Sequence, residues 1–240
     1  MSYEMIEESR RFGILVRRYD LLGEDHDLMI EAIRSDSPDL AIVRIPTVRT
    51  DLIRKLQSLF SDVVIGDCLV VYERDNFKLG IPGSLRNAGF RLKESDSGDV
   101  KTLDHMNASV FNGYRNHYSA NPRLERFDLV EAYSEWTRSH VDSPPCKCFL
   151  ALLDNDPCAF CAVRIDHPRS MIDLNGVMPE FRGRGIYSDL LKSIIKIFID
   201  EGCSYVTIST QVQNLAVQRV WVKEGFFMVG SYFTVHLNIT

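Results

Sequence analysis

This 240-residue chain has no apolar, uncharged run approaching the ~20 residues that a bilayer-crossing helix needs, so no membrane association is expected. Dense runs of lysine and arginine are missing as well. With a formal net charge of −5, general nucleic-acid binding is not expected either. Residues 1–8 lack the basic and then apolar segments of a secretory leader, which makes a cytoplasmic protein the expectation. Cysteine is sparse. Cys146, Cys148, Cys158 and Cys161 look superficially like a four-thiolate zinc site. However, Cys148 opens an apolar strand candidate at 148–153, and 158–165 reads as its hairpin partner. Residues three apart in a strand point to opposite faces, so Cys158 and Cys161 would not converge on one metal. Buried, reduced thiols and no metal are the expectation, with Cys68 and Cys203 in the core.

What the chain does have is 45% hydrophobic residues, enough to bury the core of one large or two modest domains. The first 79 residues alternate: a strand over 12–19, a helix over 24–35, a strand over 40–45 and a helix over 51–60. Residues 63–74 then read as one or two strands with a break near Gly66. Residues 76–89 carry three glycines and a proline with little periodicity, and serve as the linker. A strand at 90–94 and a helix over 99–114 follow. The helix-then-strands layout of 52–74 recurs at 216–237, as if the first part were an incomplete copy of the second. The expected division is therefore 1–85 and 86–240.

The most informative stretch is 177–187. A strand candidate, 171–177, leads through Arg182, Gly183, Arg184 and Gly185 into an apolar helical stripe of Leu190, Leu191, Ile194, Ile195 and Phe198. A helix start leaves backbone N–H groups unpaired with the positive end of the dipole behind them. Glycines at 183 and 185 let a phosphate approach closely. Taken alone, the turn reads equally well as an ordinary loop with solvated arginines.

A second element breaks the tie. A strand over 205–210 precedes a helix that starts at Asn214 and stops at Gly225. The pair resembles the GNAT N-acyltransferase superfamily. Its pyrophosphate loop has Arg or Gln, two residues, Gly, one residue, then Gly or Ala. Arg182 and Gly185 match this loop, whereas Tyr187 departs from the final small residue. Asn214, Lys223, Gly225 and Phe226 match the later helix, but Trp221 stands where many members have tyrosine. The resemblance covers roughly residues 89–240 and implies an α/β fold, an α+β mixed sheet of the GNAT type, behind a partial GNAT-like N-terminal domain. The two-part layout is most like the dTDP-fucosamine N-acetyltransferase family, which acetylates an amino group on a nucleotide-linked sugar.

That resemblance implies acetyl-CoA as donor. Asn175, Gly176 and Val177 would face the pantetheine arm, and the amide near Val177 would polarise the thioester carbonyl. Arg182, Gly183, Arg184, Gly185, Ile186 and Tyr187 would hold the pyrophosphate. Asn214 would cap its helix and touch the same arm, and Trp221 would line the thiol end. Gly176 is read either as a point of close approach or as a bulge. Trp221 cannot transfer a proton, so the thiolate leaves with hydrogen-bond help, or another group protonates it. Asp173 and His117 are the candidate bases, each with an ordinary reading as a strand-edge and a loop residue; His236 reads equally as a strand surface residue. Acceptor recognition is expected in the segment 117–126 and the strand 232–236, through His117, Tyr118, Asn121, Arg123, Tyr232 and His236, with Arg123 on an anionic diphosphate.

The expected acceptor is a small-molecule amine, an amino sugar on a nucleotide. An aminoglycoside, a polyamine, a protein N-terminus, or a non-catalytic acyl-CoA-binding module remain as alternatives, and a homodimer stays open.

Overall fold

The computed structural model describes residues 2–23, 25–124 and 128–239. They form two compact units that interleave along the chain. Unit 1 comprises Met1–Val70, Arg115–Phe127 and Gly230–Thr240; unit 2 comprises Val71–Tyr114 and Asp128–Val229. A single boundary at 85/86 does not describe this division. The reason lies in two long strands, β4 (Val63–Asp75) and β10 (Phe227–Asn238), which each run from one unit into the other. The break expected near Gly66 is absent from β4. A Cβ on Gly66 would lie 2.8 Å from His117 Cβ and 3.0 Å from its carbonyl oxygen, so glycine lets the 117 turn lie on the strand.

Unit 1 contains β1 (Ser2–Glu4), α1 (Ile6–Phe12), β2 (Val16–Asp20), α2 (His26–Asp36), β3 (Leu40–Pro46) and α3 (Thr50–Leu59). The expected strand over 12–19 is shorter because α1 runs through Phe12 and ends at Gly13, whose φ is 66°. The expected start of the next helix, Glu24, lies outside the described residues. β1 is antiparallel to β2, β2 parallel to β3, and β3 antiparallel to β10. One face of this mixed sheet presents Tyr19, Val43, Ile45, Val235 and Leu237 to Ile30 and Ile33 of α2 and to Leu52 and Leu56 of α3. By the alternation of a strand, Arg18, Asp20, Arg44, Tyr232, Thr234 and His236 share the other face.

Unit 2 contains α4 (Asn76–Leu79), β5 (Phe90–Glu94), α5 (Val100–Val110), α6 (Leu129–Arg138), β6 (Cys146–Leu153), β7 (Asp156–Asp166), β8 (Arg169–Val177), α7 (Ile186–Asp200), β9 (Tyr205–Gln211) and α8 (Leu215–Lys223). β5 to β8 are antiparallel neighbours, and β9 joins β8 in parallel. Leu103 and Met106 of α5 pack on Leu150, Phe160, Ala162 and Leu174. The stripe read from the sequence, Leu190, Leu191, Ile194, Ile195 and Phe198, is fully buried on α7. Those five side chains supply on the order of 10 kcal/mol of apolar burial before chain entropy is subtracted.

Cys148, Cys158 and Cys161 are buried in β6 and β7. Burial pushes the Cys148 thiol up to about 12 and that of Cys158 to about 11, so both stay protonated at neutral pH. No helix of the described residues is long and apolar enough to cross a membrane.

Candidate active site

The donor-side residues of the sequence reading come together where two central strands part. β8 and β9 pair only from Arg169↔Tyr205 to Ile172↔Ile208. Further on, β8 keeps its pairing with β7, through Cys161↔Asn175, Phe160↔Gly176 and Ala159↔Val177. Met178 N donates to Cys158 O at 2.9 Å. In an antiparallel ladder the bonded residues alternate, so Asn175 and Val177 turn their backbone N–H and C=O groups away from β7, toward the open edge. A bulge produces the parting. Pairing jumps from Ala162↔Leu174 to Val163↔Ile172, which makes Asp173 the extra residue. The bulge therefore sits at Asp173 and not at Gly176. Gly176 is required for packing, since a Cβ there would overlap Val110 Cγ1 of α5.

After β8 the chain makes a short turn, Pro179–Phe181, and enters α7 through Gly183 and Gly185, whose φ values are 77° and 82°. Both lie in the left-handed region that side-chain-bearing residues avoid. Gly185 is the N-cap of α7 and no side chain caps it. The first-turn N–H groups of Ile186, Tyr187 and Ser188 thus have no acceptor within the helix. Arg182 Nε donates to Val177 O at 3.2 Å, tying the turn to the strand end, and the Arg184 guanidinium lies 5.3 Å from the Phe181 ring centroid. Both arginines are exposed.

The supposed linker is part of this site, which the sequence reading missed. Asp189, fully buried one turn into α7, accepts from Arg86 N at 2.8 Å, Asn87 N at 2.9 Å and Asn87 Nδ2 at 2.7 Å. Asn87 Nδ2 also reaches Arg184 O at 3.2 Å. Residues 86 and 87 are strapped across the turn, and the Arg86 side chain lies where a Cβ on Gly185 would come 2.8 Å from its Cδ. The available signal was an aspartate in the first turn of an apolar helix.

Tyr187 and Trp221, the two departures from the family pattern, meet. Trp221 is 1% exposed, and its indole N–H donates to the Tyr187 hydroxyl at 2.7 Å. Tyr72 packs edge-on against the indole, with centroids 5.3 Å apart. Burial pushes the Tyr187 hydroxyl well above the ordinary phenol range, so it keeps its proton; its oxygen accepts from the indole and its own O–H is left to donate elsewhere. Asn214 precedes α8 but does not cap it with its side chain, contrary to the expectation. Its Nδ2 donates to Thr210 Oγ1 at 3.1 Å instead.

Asp173 is buried with an occupied carboxylate. Its Oδ2 accepts from His140 Nε2 at 2.9 Å and from Arg164 at 3.2 Å, and its side chain is 5% exposed. His140 Nδ1 lies 2.9 Å from Trp136 O. The imidazole thus bridges the Asp173 carboxylate and the α6 backbone.

Every predicted acceptor residue belongs to unit 1, and every predicted donor residue to unit 2. Within unit 1, His117, Asn121 and His236 form one chain. Asn121 Oδ1 accepts from Arg123 N at 3.1 Å, which fixes the amide orientation. Its Nδ2 then donates to Asn238 Oδ1 at 2.9 Å and to His236 Nδ1 at 3.2 Å. With Nδ1 accepting, neutral His236 carries its proton on Nε2 and donates to His117 Nδ1, 2.8 Å away. His117 in turn carries its proton on Nε2. It presents a donor, and a base role would need the whole proton order reversed. His236 is fully buried and not a surface residue. Burial lowers its pKa to about 4, and burial with the neighbouring imidazole takes His117 well below its usual value. Tyr118 is buried with its ring 5.3 Å from that of Phe12. Arg123 pairs with Asp62 at 3.1 Å, and Tyr232 lies under Arg44. Glu125 and Arg126, the end of the expected acceptor segment, lie outside the described residues.

A mixed sheet whose parallel neighbours part beside an uncapped, glycine-bounded helix start is an arrangement able to receive a phosphate-bearing acyl carrier. Comparison with known proteins agrees: a profile of the acetyltransferase (GNAT) family matches residues 111–226. The N-alpha-acetyltransferase MAK3 of Arabidopsis thaliana is 31% identical over 151 residues, 61% of this chain and 76% of that protein. The spore coat polysaccharide biosynthesis protein SpsD of Bacillus subtilis (strain 168) is 24% identical over 205 residues, 84% of this chain and 68% of that protein. A GCN5-related N-acetyltransferase from Sphaerobacter thermophilus has the same fold, with a TM-score of 0.68 and 16% identity, covering 99% of this chain and 76% of that one. The chain belongs to the GNAT acetyltransferase family. It is an acetyl-transferring enzyme, and the family's donor is acetyl-CoA.

Proposed function

We propose that this protein moves the acetyl group of acetyl-CoA onto the amine of a small molecule, an amino sugar carried on a nucleotide. The observation that carries the donor half is the glycine-bounded, uncapped start of α7 beside the parted edge of β8. Acetyl-CoA, when bound, supplies an activated thioester. The N–H groups of Ile186, Tyr187 and Ser188 hold the pyrophosphate, and the open-edge groups of Asn175 and Val177 align the pantetheine arm. The Val177 N–H polarises the thioester carbonyl; losing one such donor typically lowers the rate on the order of 10²–10³. Tyr187, steadied by Trp221, donates a hydrogen bond to the departing sulfur. Full proton transfer from Tyr187 is not needed, because a thiol pKa near ~8.5 makes the thiolate a tolerable leaving group; the proton that the amine sheds as the C–N bond forms and the C–S bond breaks passes to solvent. Asp173, already engaged by His140 and Arg164, holds the bulge that opens the strand edge.

The sugar reading draws on the relative named for polysaccharide biosynthesis, which matches 84% of this chain. A second reading, a protein N-terminus as acceptor, draws on the N-alpha-acetyltransferase that is 31% identical over 151 residues. The two separate in one assay. Free thiol released from acetyl-CoA is followed with nucleotide-linked amino sugars, aminoglycosides, polyamines and amino-terminal peptides. The sugar reading expects the highest kcat/KM with a nucleotide-linked amino sugar. Turnover confined to peptides would replace it with the second reading, and coenzyme binding with no turnover would leave a non-catalytic module.

A further inference from the structure

On the polar face of the unit 1 sheet, one charged group is out of balance. The Arg44 guanidinium is half-buried and lies 4.6 Å from the Tyr232 ring centroid. Among the described residues no carboxylate reaches it within ion-pair distance and no acceptor takes its N–H groups. The other arginines on this side are engaged. Arg18 pairs with Asp20 at 2.8 Å, and Arg123, the residue the sequence suggested for an anion, pairs with Asp62 at 3.1 Å. Directly opposite Arg44 in the β3–β10 register stands Thr234, which is 1% exposed. Its Oγ1 is buried without a hydrogen-bond partner. Leaving a buried hydroxyl unpaired is unfavourable, and the Arg44 guanidinium, which keeps contact with solvent, has no protein acceptor of its own among the described residues. A buried hydroxyl without a partner beside a solvent-reachable guanidinium without an acceptor is an arrangement that an incoming anion would complete.

We propose that Arg44 and Thr234 form an oxyanion-binding site, in which the guanidinium grips a phosphate or carboxylate bidentately and the Thr234 hydroxyl donates to the same group. The Tyr232 ring supports the flat guanidinium from one side, which fixes the fork and leaves its edge for the anion. Burial lowers the Arg44 pKa, but a guanidinium is basic enough to remain a cation at neutral pH. Arg18 adds positive potential, and Asp20, paired with it, offsets that charge. The neutral His117 and His236 bring none of their own. The site thus takes an anion of low charge, held by geometry more than by net field. This inference deepens the amino-sugar reading, on which it rests for the ligand's identity, because a nucleotide-linked acceptor carries phosphoryl oxygens.

The test is binding without turnover, so that its failure and the failure of the acetyl-transfer reading stay distinguishable. Inorganic phosphate, uridine diphosphate and glutarate are titrated into the wild-type protein, Arg44→Lys and Thr234→Val by calorimetry, with thermal denaturation as the control for folding. Arg44→Lys keeps the charge and loses the fork, and should weaken the bound anion about tenfold or more. Thr234→Val, nearly isosteric, should weaken it roughly threefold to tenfold while leaving the melting temperature equal or higher, since it removes an unpaired hydroxyl. Selectivity for phosphate and uridine diphosphate supports a phosphorylated ligand; selectivity for glutarate supports a carboxylate. No anion binding to the folded wild-type protein, or equal affinity in all three proteins, overturns the proposal. If Arg44→Lys does not fold, the Thr234→Val comparison alone decides in the same way.

Discussion

The turn at 182–187 and the polar face of the unit 1 sheet are built to opposite plans for the anions we propose they bind. In unit 2 the donors are backbone N–H groups at a helix start, freed by glycines whose φ values of 77° and 82° few other residues accept. The arginines there lean on Val177 O and the Phe181 ring. In unit 1 the donors are side chains, Arg44 and Thr234, projected from neighbouring strands in fixed register. A backbone site tolerates side-chain change and is destroyed by a change of φ. A side-chain site behaves in the reverse way, and its buried imidazole neighbours make it sensitive to acid.

The largest expected effect tests how firmly the unit 2 site is built. Trp221→Ala removes a fully buried indole and should lower stability by roughly 3–5 kcal/mol, read by urea denaturation. A loss near zero would mean that Trp221 does not hold Tyr187 in a packed core.

Next comes acid. His236 has a folded pKa of about 4 against an ordinary value of 6.5. The unfolded chain therefore binds the extra proton first. Stability is fully present above pH 6.5 and is lost as pH falls from there toward 4, by about 3 kcal/mol for this group alone. His117, lowered for the same reason, acts in the same direction. Denaturation curves at pH 7 and pH 4.5 check this, and His236→Gln should flatten the difference. Equal stability at both pH values in the wild-type protein would contradict the buried neutral pair.

Two kinetic changes are smaller. Tyr187→Phe should lower kcat about 10–100-fold, the worth of one hydrogen bond to a charged atom, with the acetyl-CoA KM unchanged. Because the hydroxyl is held above the phenol range, no loss of activity assignable to it should appear between pH 7 and 9. Asp173→Asn should lower kcat less than tenfold; a general base in that position would cost roughly 10²–10⁴ and remove the acidic limb of the pH profile.

The backbone of the candidate unit 2 site, its glycine turn and helix start, was largely legible in the sequence, and the reason is physical. Backbone sites require glycine at particular positions, and Gly183 and Gly185 announce themselves by spacing. The apolar stripe of α7 and the start at Asn214 were equally plain. Illegible were contacts that depend on distant segments. Residues 86 and 87 read as linker because their partner, the carboxylate of Asp189, is 103 residues away from Arg86 in sequence. The pairing of Tyr187 with Trp221 spans 34 residues, so each was seen only as a departure from a pattern. Asp173 read as a candidate base or an ordinary strand-edge residue, and not as the site of a bulge, because a bulge leaves no trace in period-two alternation. Unit 1 misled most. Arg18, Arg44, Thr234 and His236 alternate with apolar residues as a solvent-facing strand surface does, yet Thr234 and His236 are buried. The interleaved units were hidden for the same reason, since β4 and β10 look like ordinary terminal strands until their partners are known.

The contrast between a backbone-built and a side-chain-built site is tested most directly by titrating acetyl-CoA calorimetrically into Gly185→Val and into the double variant Arg182→Ala/Arg184→Ala. The valine puts a β-branched residue at a φ of 82° with its Cβ against Arg86, and should weaken donor binding about 100-fold or more in a protein that still folds. The double variant should lose at most about tenfold, because exposed arginines add modest charge to a site made of N–H groups. Near-wild-type affinity in Gly185→Val, with loss of binding in the double arginine variant, would contradict the account.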